Sequence, residues 1–356
     1  MLRSRDRVVL LQHRGLGDNR GKTGLAFLRY REGPVVAVID PDHAGRPLHS
    51  IAGIERDVPV LGSMAEALPF APEVAVVGLA PSGGMLPPEL RADLETALKA
   101  GLSVASGLHT RIGADPDLSP LVQPGRWIWD LRQEPPGLSV GSARASAMPG
   151  VRLLTVGTDM SVGKMSACLE LQAAARRRGV EARFVGTGQA GILISGTGVP
   201  LDAVRVDYAS GAVEQAVLRA SAGAGRETLL LVEGQGSLCH PGSSATLSLI
   251  RGSQPTTLLL VHRAGQGMIQ NHPHIPIPKL PALIEVLEGL AALARPAPLT
   301  TPAPQVVAVA LNTAGLDGEA SRAALHETQA ETGLPCFDPV RHGGEGLLSA
   351  VMAPAR

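Results

Sequence analysis

The segment VGTDMSVGKMS at residues 156–166 constrains this chain more than any other, because it joins a strand pattern to a helix pattern. Residues 151–156 predict a buried strand, and a helix pattern runs from Lys164 to Gly179. A glycine-rich turn with lysine at the start of a helix aims backbone N–H groups, the helix dipole and a side-chain cation at one point. The segment therefore predicts a phosphate-binding loop.

The loop departs from the usual phosphate-loop pattern in two ways. Five residues rather than four separate Gly157 from Gly163, and Met165 stands where a hydroxyl-bearing residue normally follows the lysine. Ser166 is the next hydroxyl and would have to serve as the magnesium ligand if the bound nucleotide carried that ion. The residues predicted to bind the phosphorylated ligand are Gly157, Thr158, Asp159, Val162, Gly163, Lys164, Met165 and Ser166.

Short apolar strands alternate with helix patterns on both sides of residues 132–150, a segment that lacks periodicity. Such alternation is typical of α/β proteins with a mostly parallel sheet covered on both faces. A chain of 356 residues is also long for one core. We therefore predict two α/β domains, at residues 1–148 and 149–356.

Composition excludes several classes of function. Lysine plus arginine equals aspartate plus glutamate at 32 each, and aromatic residues make up 2%, so a nucleic-acid partner is not expected. The three cysteines form no CxxC pair, which argues against a disulfide scaffold. No stretch reaches the roughly 18 apolar residues of a membrane helix, and no signal peptide is evident. These features favour a cytoplasmic protein without a membrane partner.

A second acidic motif follows the loop, in the segment LLLVEGQGSL at residues 229–238. Glu233 ends a predicted strand, where a magnesium ligand would lie beside the phosphate loop. Asp207 is a candidate second metal ligand, and a structural role at a loop or helix cap is the alternative. Asn312 ends another predicted strand, where related P-loop enzymes recognise adenine, although a turn asparagine is as good an explanation.

The loop and the acidic motif together resemble dethiobiotin synthetase. Two motifs of that enzyme are similar to segments of this chain. The first is Gly-Thr-Asp followed by Gly-Lys, with the same extra residue between the two glycines, and the second is Glu-Gly at the end of a strand. The resemblance implies an enzyme that uses ATP and Mg²⁺ to activate a carboxylate or an amine.

A more extensive resemblance covers nearly the whole chain. Five segments of the chain are similar to the DgcN-like family of bacterial P-loop proteins. They are KTGLAFLRY, VVAVIDPDHAG, VGTDMSVGKMS, LNTAGL and the long segment VEGQGSLCHPGSSATLSLIRGSQPTTLLLVHRAGQ. The family implies an N-terminal Rossmann-like domain, a C-terminal P-loop domain, and acetyl transfer from acetyl-CoA to D-glutamate.

Acetyl transfer needs a base for the substrate ammonium and donors for the developing oxyanion. Lys164, Glu233 and His240 are the candidate catalytic residues, with Glu233 or His240 as the base. Backbone N–H groups of residues 234–244 are candidate donors. The residues predicted to contact the substrate are Thr187, Gln189, Gln235, Gly236, His262 and Arg263.

The N-terminal segment GLGDNRGKT at residues 15–23 repeats the glycine-rich pattern before a helix. It is also a loose dinucleotide fingerprint, with Asp40 about where a ribose-binding acid would lie. That interpretation makes the chain a nicotinamide-dependent oxidoreductase; a purely structural role for the segment is the alternative.

Three further expectations complete the sequence analysis. Residues 271–278 hold two histidines among three prolines, and we predict a rigid loop there rather than a metal site. A homo-oligomer is expected as the common state of such enzymes. A non-catalytic nucleotide-binding regulator remains open beside the acetyltransferase and the ATP-dependent enzyme.

Overall fold

The structure is a computed structural model that describes residues 2–81, 85–297 and 302–353. The chain divides into two compact units. The first consists of Met1–Glu134 and Gln189–Ala203, and the second of Pro135–Gly188 and Val204–Arg356. The boundary predicted between residues 148 and 149 falls inside the second unit.

The first unit contains a six-stranded, all-parallel sheet. Its strands are β1 (Val8–Leu11), β2 (Val35–Ile39), β3 (Val60–Leu61), β4 (Val74–Val77), β5 (Ser103–Ser106) and β6 (Ile128–Asp130). Its first four helices are α1 (Lys22–Tyr30), α2 (Leu48–Ala52), α3 (Met64–Ala67) and α4 (Pro88–Lys99). The strand order β3-β2-β1-β4-β5-β6 is that of the Rossmann fold.

The second unit contains another six-stranded, all-parallel sheet, in the order β14-β13-β10-β7-β9-β8, and a separate hairpin of β11 and β12. The strands are β7 (Val151–Gly157), β8 (Ala182–Val185), β9 (Leu229–Val232), β10 (Thr257–Arg263), β11 (Met268–Ile269), β12 (His272–Pro276), β13 (Gln305–Asn312) and β14 (Cys336–Phe337). The helices are α5 (Lys164–Arg177), α7 (Val206–Ala220), α8 (Ala245–Ser253), α9 (Leu280–Leu293), α10 (Gly318–Thr332), α11 (Pro339–His342) and α12 (Glu345–Val351).

Helix α6 (Gln189–Ser195) belongs to the first unit, although it lies within the sequence of the P-loop half. Ile192 and Leu193 are buried in the same apolar cluster as Phe27 of α1. Burial of these side chains fixes residues 189–203 to the Rossmann-like core.

The two sheets confirm the predicted α/β class and parallel strands. One local prediction was wrong: the rigid loop predicted at residues 271–278 contains strand β12. Asn271 has a φ of 65° in the two-residue turn before β12, a conformation that asparagine tolerates in hairpins.

The parallel order places the carboxyl ends of β7, β9, β10 and β13 at one edge of the second sheet. Gly157, Glu233, His262 and Asn312 lie at or directly after these ends, which is the edge where α/β proteins bind ligands. None of the helices in the described part of the chain is both long and apolar enough to cross a lipid bilayer.

Candidate functional site

The predicted phosphate loop connects β7 to α5. The strand ends at Gly157, the loop occupies residues 158–163, and the helix begins at Lys164. Gly163 has a φ of 115° and Ser161 a φ of 55°, so the backbone turns sharply before the helix. The first N–H groups of an α-helix lack acceptors within the helix, and they point out of its N-terminus. The loop therefore has the geometry that anion binding requires.

Lys164 is buried beside two glycines that make room for its side chain. A Cβ added at Gly157 would lie 2.9 Å from Lys164 Nζ, and one at Gly234 would lie 2.9 Å from Cδ. Nζ donates a hydrogen bond to the carbonyl oxygen of Asp159 at 2.7 Å. Burial lowers the pKa of Lys164 to about 8, while the carboxylates of Asp159 and Glu233 oppose that change.

Three side chains at the ends of β10 and β13 contact the phosphate loop from one side. The contacts are His262 Nδ1 with Thr158 Oγ1 at 2.9 Å, Arg263 Nη2 with Ser161 O at 3.0 Å, and Asn312 Nδ2 with Val162 O at 3.0 Å. Burial lowers the pKa of His262, which favours its neutral form. These residues hold the loop in position; their predicted contacts with substrate or adenine stay predictions.

Asp159 connects the phosphate loop to the β11–β12 hairpin. Its carboxylate is fully buried. Oδ1 accepts the N–H of Met160 at 2.6 Å, and Oδ2 accepts Gln266 Nε2 and Gln270 N–H at 2.7 Å each. A two-stranded hairpin is marginally stable alone, so this carboxylate is an important anchor for it.

Glu233 lies directly after β9, and backbone donors surround its carboxylate. Oε2 accepts the N–H groups of Thr187 at 2.8 Å and Gly188 at 3.2 Å. Gln235 Nε2 donates to Oε1 at 3.4 Å. Burial raises the pKa of Glu233 to about 7, although the two backbone donors and Lys164 oppose the increase. The carboxyl can therefore exchange a proton near neutral pH.

Two backbone N–H groups of the loop at residues 234–244 donate hydrogen bonds to side chains of the same loop. Gly236 has a φ of 65°, and a Cβ there would lie 1.7 Å from Ser243 Oγ. The N–H of Ser237 donates to Ser243 Oγ, and the N–H of Cys239 donates to Ser237 Oγ. These two N–H groups are therefore engaged within the loop rather than directed at a substrate.

His240 is held in one tautomer by its own loop. Its Nδ1 accepts the backbone N–H of Gly242 at 3.0 Å, so in the neutral ring the proton must be on Nε2. The His240 ring meets the His272 ring edge-on with centroids 5.2 Å apart, and His272 meets His274 at 6.0 Å. His240 consequently presents an N–H donor, which fits a hydrogen-bonding role better than that of a base.

The predicted metal ligands are distributed over three elements. Ser166 lies partly exposed beside Met165 in the first turn of α5, and Glu233 follows β9. Asp207 is exposed in the first turn of α7, where a carboxylate complements the helix dipole. Within residues 2–81, 85–297 and 302–353, no three or more His, Cys, Asp or Glu side chains are grouped to hold a metal ion.

Gln189 is separated from the other predicted substrate residues by the division into units. It begins α6 in the first unit, and its Oε1 accepts a hydrogen bond from Arg132 Nη2 at 2.6 Å. Thr187, in contrast, remains in the second unit, and its Oγ1 donates to the carbonyl oxygen of Glu233 at 2.8 Å.

The side chain of Gln12 occupies the space beside the glycines of the glycine-rich segment in the first unit. Its Nε2 donates to the carbonyl oxygen of Gly21 at 2.8 Å. A Cβ at Gly24 would lie 1.9 Å from Gln12 Oε1, and one at Gly21 would lie 2.3 Å from Nε2. The glycines at 21 and 24 are thus required by a packed glutamine of the chain itself.

Asp40 also has a structural role in that segment. Its two carboxylate oxygens accept the N–H groups of Arg14 at 2.9 Å and Leu16 at 3.1 Å. Its side chain is fully buried. These contacts account for Asp40 without a ribose, and they favour the structural interpretation of residues 15–23.

Sequence reasoning missed the side chains that support the site. Gln266 and Gln270 are 107 and 111 residues from Asp159, and Arg132 is 57 residues from Gln189. No local pattern reports contacts over such separations. Asn271 was the one available signal, because asparagine in a short turn between strands predicts a hairpin.

A Rossmann-like sheet in one unit and a strand–loop–lysine–helix site in the other define a P-loop α/β protein. Comparison with known families agrees. A family model described as "Domain of unknown function (DUF1611_C) P-loop domain" matches residues 139–348. A second, "Domain of unknown function (DUF1611_N) Rossmann-like domain", matches residues 41–134. The chain belongs to the DUF1611 family.

Known relatives cover most of the chain. A protein of Tritonibacter scottomollicae named D-glutamate N-acetyltransferase is 35% identical over 88% of this chain and 91% of its own length. A protein of Pseudoalteromonas sp. with the same name is 34% identical, over 81% and 83% respectively. The crystal structure of a DUF1611 family protein from Anabaena variabilis ATCC 29413 is 52% identical with a TM-score of 0.90, covering 98% of this chain and 99% of that one. The predicted family and two-domain fold are confirmed.

Proposed function

We propose that this protein transfers the acetyl group of acetyl-CoA to the amine of D-glutamate or a similar amino acid. The names of the two relatives from Tritonibacter and Pseudoalteromonas support this reaction. Within the chain, one observation carries the proposal. The Glu233 carboxylate is buried beside Lys164 of the phosphate loop, accepts the N–H groups of Thr187 and Gly188, and has a pKa that burial raises to about 7.

The phosphate loop is the proposed binding site for a phosphate group of coenzyme A. Gly157 leaves room for the Lys164 side chain beside the loop, since a Cβ at that position would lie 2.9 Å from Lys164 Nζ. Lys164 and the N–H groups at the start of α5 supply positive charge and donors for one phosphate group. When bound, acetyl-CoA supplies the acetyl thioester.

Glu233 is the base in this proposal. An ammonium group must lose a proton before its nitrogen can attack a thioester carbonyl. A carboxylate with a pKa of about 7 is a stronger base than an ordinary glutamate, and it is still substantially ionised at neutral pH. Glu233 would take one ammonium proton so that the amine nitrogen can form the new C–N bond, and the second N–H proton would pass to the thiolate that leaves as the C–S bond breaks, which gives the free thiol.

His240 is the proposed donor to the developing oxyanion. The hydrogen bond from Gly242 leaves its proton on Nε2, so the ring donates rather than accepts on its free side. A preset donor is most effective where charge develops in the transition state. This assigns the base and donor functions to different residues.

An ATP- and Mg²⁺-dependent enzyme similar to dethiobiotin synthetase is the second candidate. The observation that favours it is the hydroxyl of Ser166 in the first turn of α5, together with the carboxylate of Glu233 at the end of β9. A hydroxyl and a carboxylate in these positions suit a magnesium ion bound to nucleotide phosphates. This enzyme would release phosphate instead of free coenzyme A.

The experiment is an acetyl-transfer assay that follows free thiol and the mass of the acetylated product. Wild type with acetyl-CoA and D-glutamate should give both, and Glu233→Gln should lower kcat by about 10²- to 10⁴-fold. Glu285→Gln, on the exposed side of α9, is the matched control and should keep wild-type kcat. Phosphate release from ATP with no acetylated amino acid would instead support the second candidate.

A further inference from the structure

A cavity of about 340 Å³ opens at the amino ends of three strands in the first unit. Val74 begins β4, Ser103 begins β5 and Trp127 directly precedes β6, and all three line the cavity. Its volume lies within the range of small-molecule sites. The ligands of α/β sheets usually bind at the opposite, carboxyl edge, so this cavity is separate from the glycine-rich segment at residues 15–23.

Three arginines without partners line the cavity. They are Arg3, Arg5 and Arg126, and all three are exposed. None of their guanidinium groups makes an ion pair or a hydrogen bond with another described residue. Each guanidinium carries five N–H donors in a planar fork. The cavity therefore offers unused donors and positive charge to an anion.

Two carboxylates also line the cavity, but both are already engaged. Asp6 Oδ2 accepts the backbone N–H of Arg3 at 2.7 Å, and Glu73 Oε2 accepts the backbone N–H of Arg7 at 2.9 Å. Asp6 also lies close enough to Arg31 to raise the pKa of that buried cation. The three unpartnered arginines outnumber the two carboxylates, so the net charge of the lining is positive.

The turn that carries Arg3 and Arg5 is held in place from beneath. Arg31 is 4% exposed, and its Nη2 donates to the carbonyl oxygens of Arg3 at 2.8 Å and of Asp6 at 3.2 Å. A buried arginine is thus used to fix the backbone of this turn. A preformed turn lowers the entropy that a ligand would lose on ordering it.

The wall formed by β5 and β6 adds an aromatic side chain and a hydroxyl group. Trp127 is one of two tryptophans in the chain, and it lies between the apolar core of the first unit and the cavity. Ser103 is nearly completely buried, and its Oγ accepts the N–H of Trp127 at 3.4 Å. No described residue accepts the hydroxyl proton of Ser103.

We propose that this cavity binds a nucleotide, whose phosphates contact the three arginines and whose base contacts Trp127. The guanidinium group matches the oxygens of a phosphate in charge and geometry. Tryptophan stacks on bases with little regard to their identity. The site lies apart from the phosphate loop, and it does not rest on the proposed acetyl transfer.

The experiment uses Trp127 as the reporter. Trp129→Phe leaves it as the only tryptophan of the full chain, and its fluorescence is titrated with ADP. ADP should quench it saturably. Adenosine and inorganic pyrophosphate, measured by competition with ADP, should each bind more weakly because each lacks half of the ligand. Calorimetry of the chain with both tryptophans present gives the same Kd without the substitution.

Arg126→Gln and Arg5→Gln should each weaken the Kd of ADP by at least about 10-fold, the size expected for charge-assisted hydrogen bonds. Arg29→Gln, on the exposed side of α1, is the matched control and should leave the Kd unchanged. Lys164→Ala should also leave it unchanged, because that lysine belongs to the phosphate loop. All of these side chains except Lys164 are exposed, so their variants should fold as wild type does.

Four results would overturn the proposal. The first is no saturable binding of ADP by either fluorescence or calorimetry. The second is an unchanged Kd in both Arg126→Gln and Arg5→Gln. The third is weaker binding in Lys164→Ala, which would assign ADP to the phosphate loop. The fourth is equal affinity for ADP and pyrophosphate, which would leave an anion site without a contact to the base.

Discussion

Replacing Glu233 with glutamine tests whether a buried carboxyl titrates near neutral pH beside the phosphate loop. Burial raises its pKa from 4.5 to about 7. Because the pKa is higher in the folded protein, the stability from this group is complete below pH 4.5 and is lost as pH rises through about 7. The difference corresponds to ~3 kcal/mol of unfolding free energy at 1.36 kcal/mol per pH unit.

The assay compares unfolding free energies of wild type and Glu233→Gln from urea titrations between about pH 5 and about pH 8.5. Circular dichroism is the suitable probe, because both tryptophans, Trp127 and Trp129, lie in the first unit. Wild type should lose ~2.5 kcal/mol relative to the variant as pH rises across this range, because the remainder is already lost at about pH 5. A difference that stays constant with pH would refute the assignment of a raised pKa to Glu233. Glu285→Gln is the control for loss of a carboxyl as such.

Three further predictions concern the support of the site. Gly234→Ala places a Cβ 1.9 Å from a carbonyl oxygen of β7 and should lower the unfolding free energy by at least about 1–3 kcal/mol. The control is Gly289→Ala, whose added Cβ has no atom within 4 Å and which should raise the unfolding free energy by up to ~1 kcal/mol. Asp159→Asn removes an acceptor for two donors and should speed amide hydrogen exchange in the hairpin at residues 268–276. His240→Gln keeps an N–H donor and should retain a higher kcat than His240→Ala in the acetyl-transfer assay.

A specific result would contradict each of these three predictions. Equal urea midpoints for Gly234→Ala and Gly289→Ala would mean that the backbone around Lys164 can accommodate a methyl group at position 234. Unchanged exchange in the hairpin of Asp159→Asn would show that the hairpin is held by other contacts. Equal loss of kcat in both His240 variants would return the role of base to this histidine.

The sequence predicted the parts of the fold that are encoded locally. The apolar run of β7, the loop glycines at 157 and 163 and the helix that begins at Lys164 all lie within one short segment, so periodicity and helix signals were sufficient. Glu233 was found for a similar reason, because it follows an unbroken apolar strand.

Local sequence patterns did not predict the long-range contacts or the compact unit to which each element belongs. Helix α6 follows a strand of the P-loop half, yet Ile192 and Leu193 pack into the first unit, and no local pattern distinguishes between two cores. The tautomer of His240 depends on a turn geometry that its sequence does not determine. Asp40 ends its strand at the position of a ribose-binding acid, but the backbone of the neighbouring loop uses both its oxygens.

Ligand-induced thermal stabilisation tests most directly whether the phosphate loop binds coenzyme A. Wild type and Lys164→Ala are each measured with acetyl-CoA, CoA, ATP, and ATP with Mg²⁺. A ligand at about 100 times its Kd should stabilise the fold by ~2.7 kcal/mol. We predict that acetyl-CoA and CoA stabilise wild type and that Lys164→Ala loses the effect. Stabilisation of wild type by ATP with Mg²⁺ alone would contradict the acetyltransferase account.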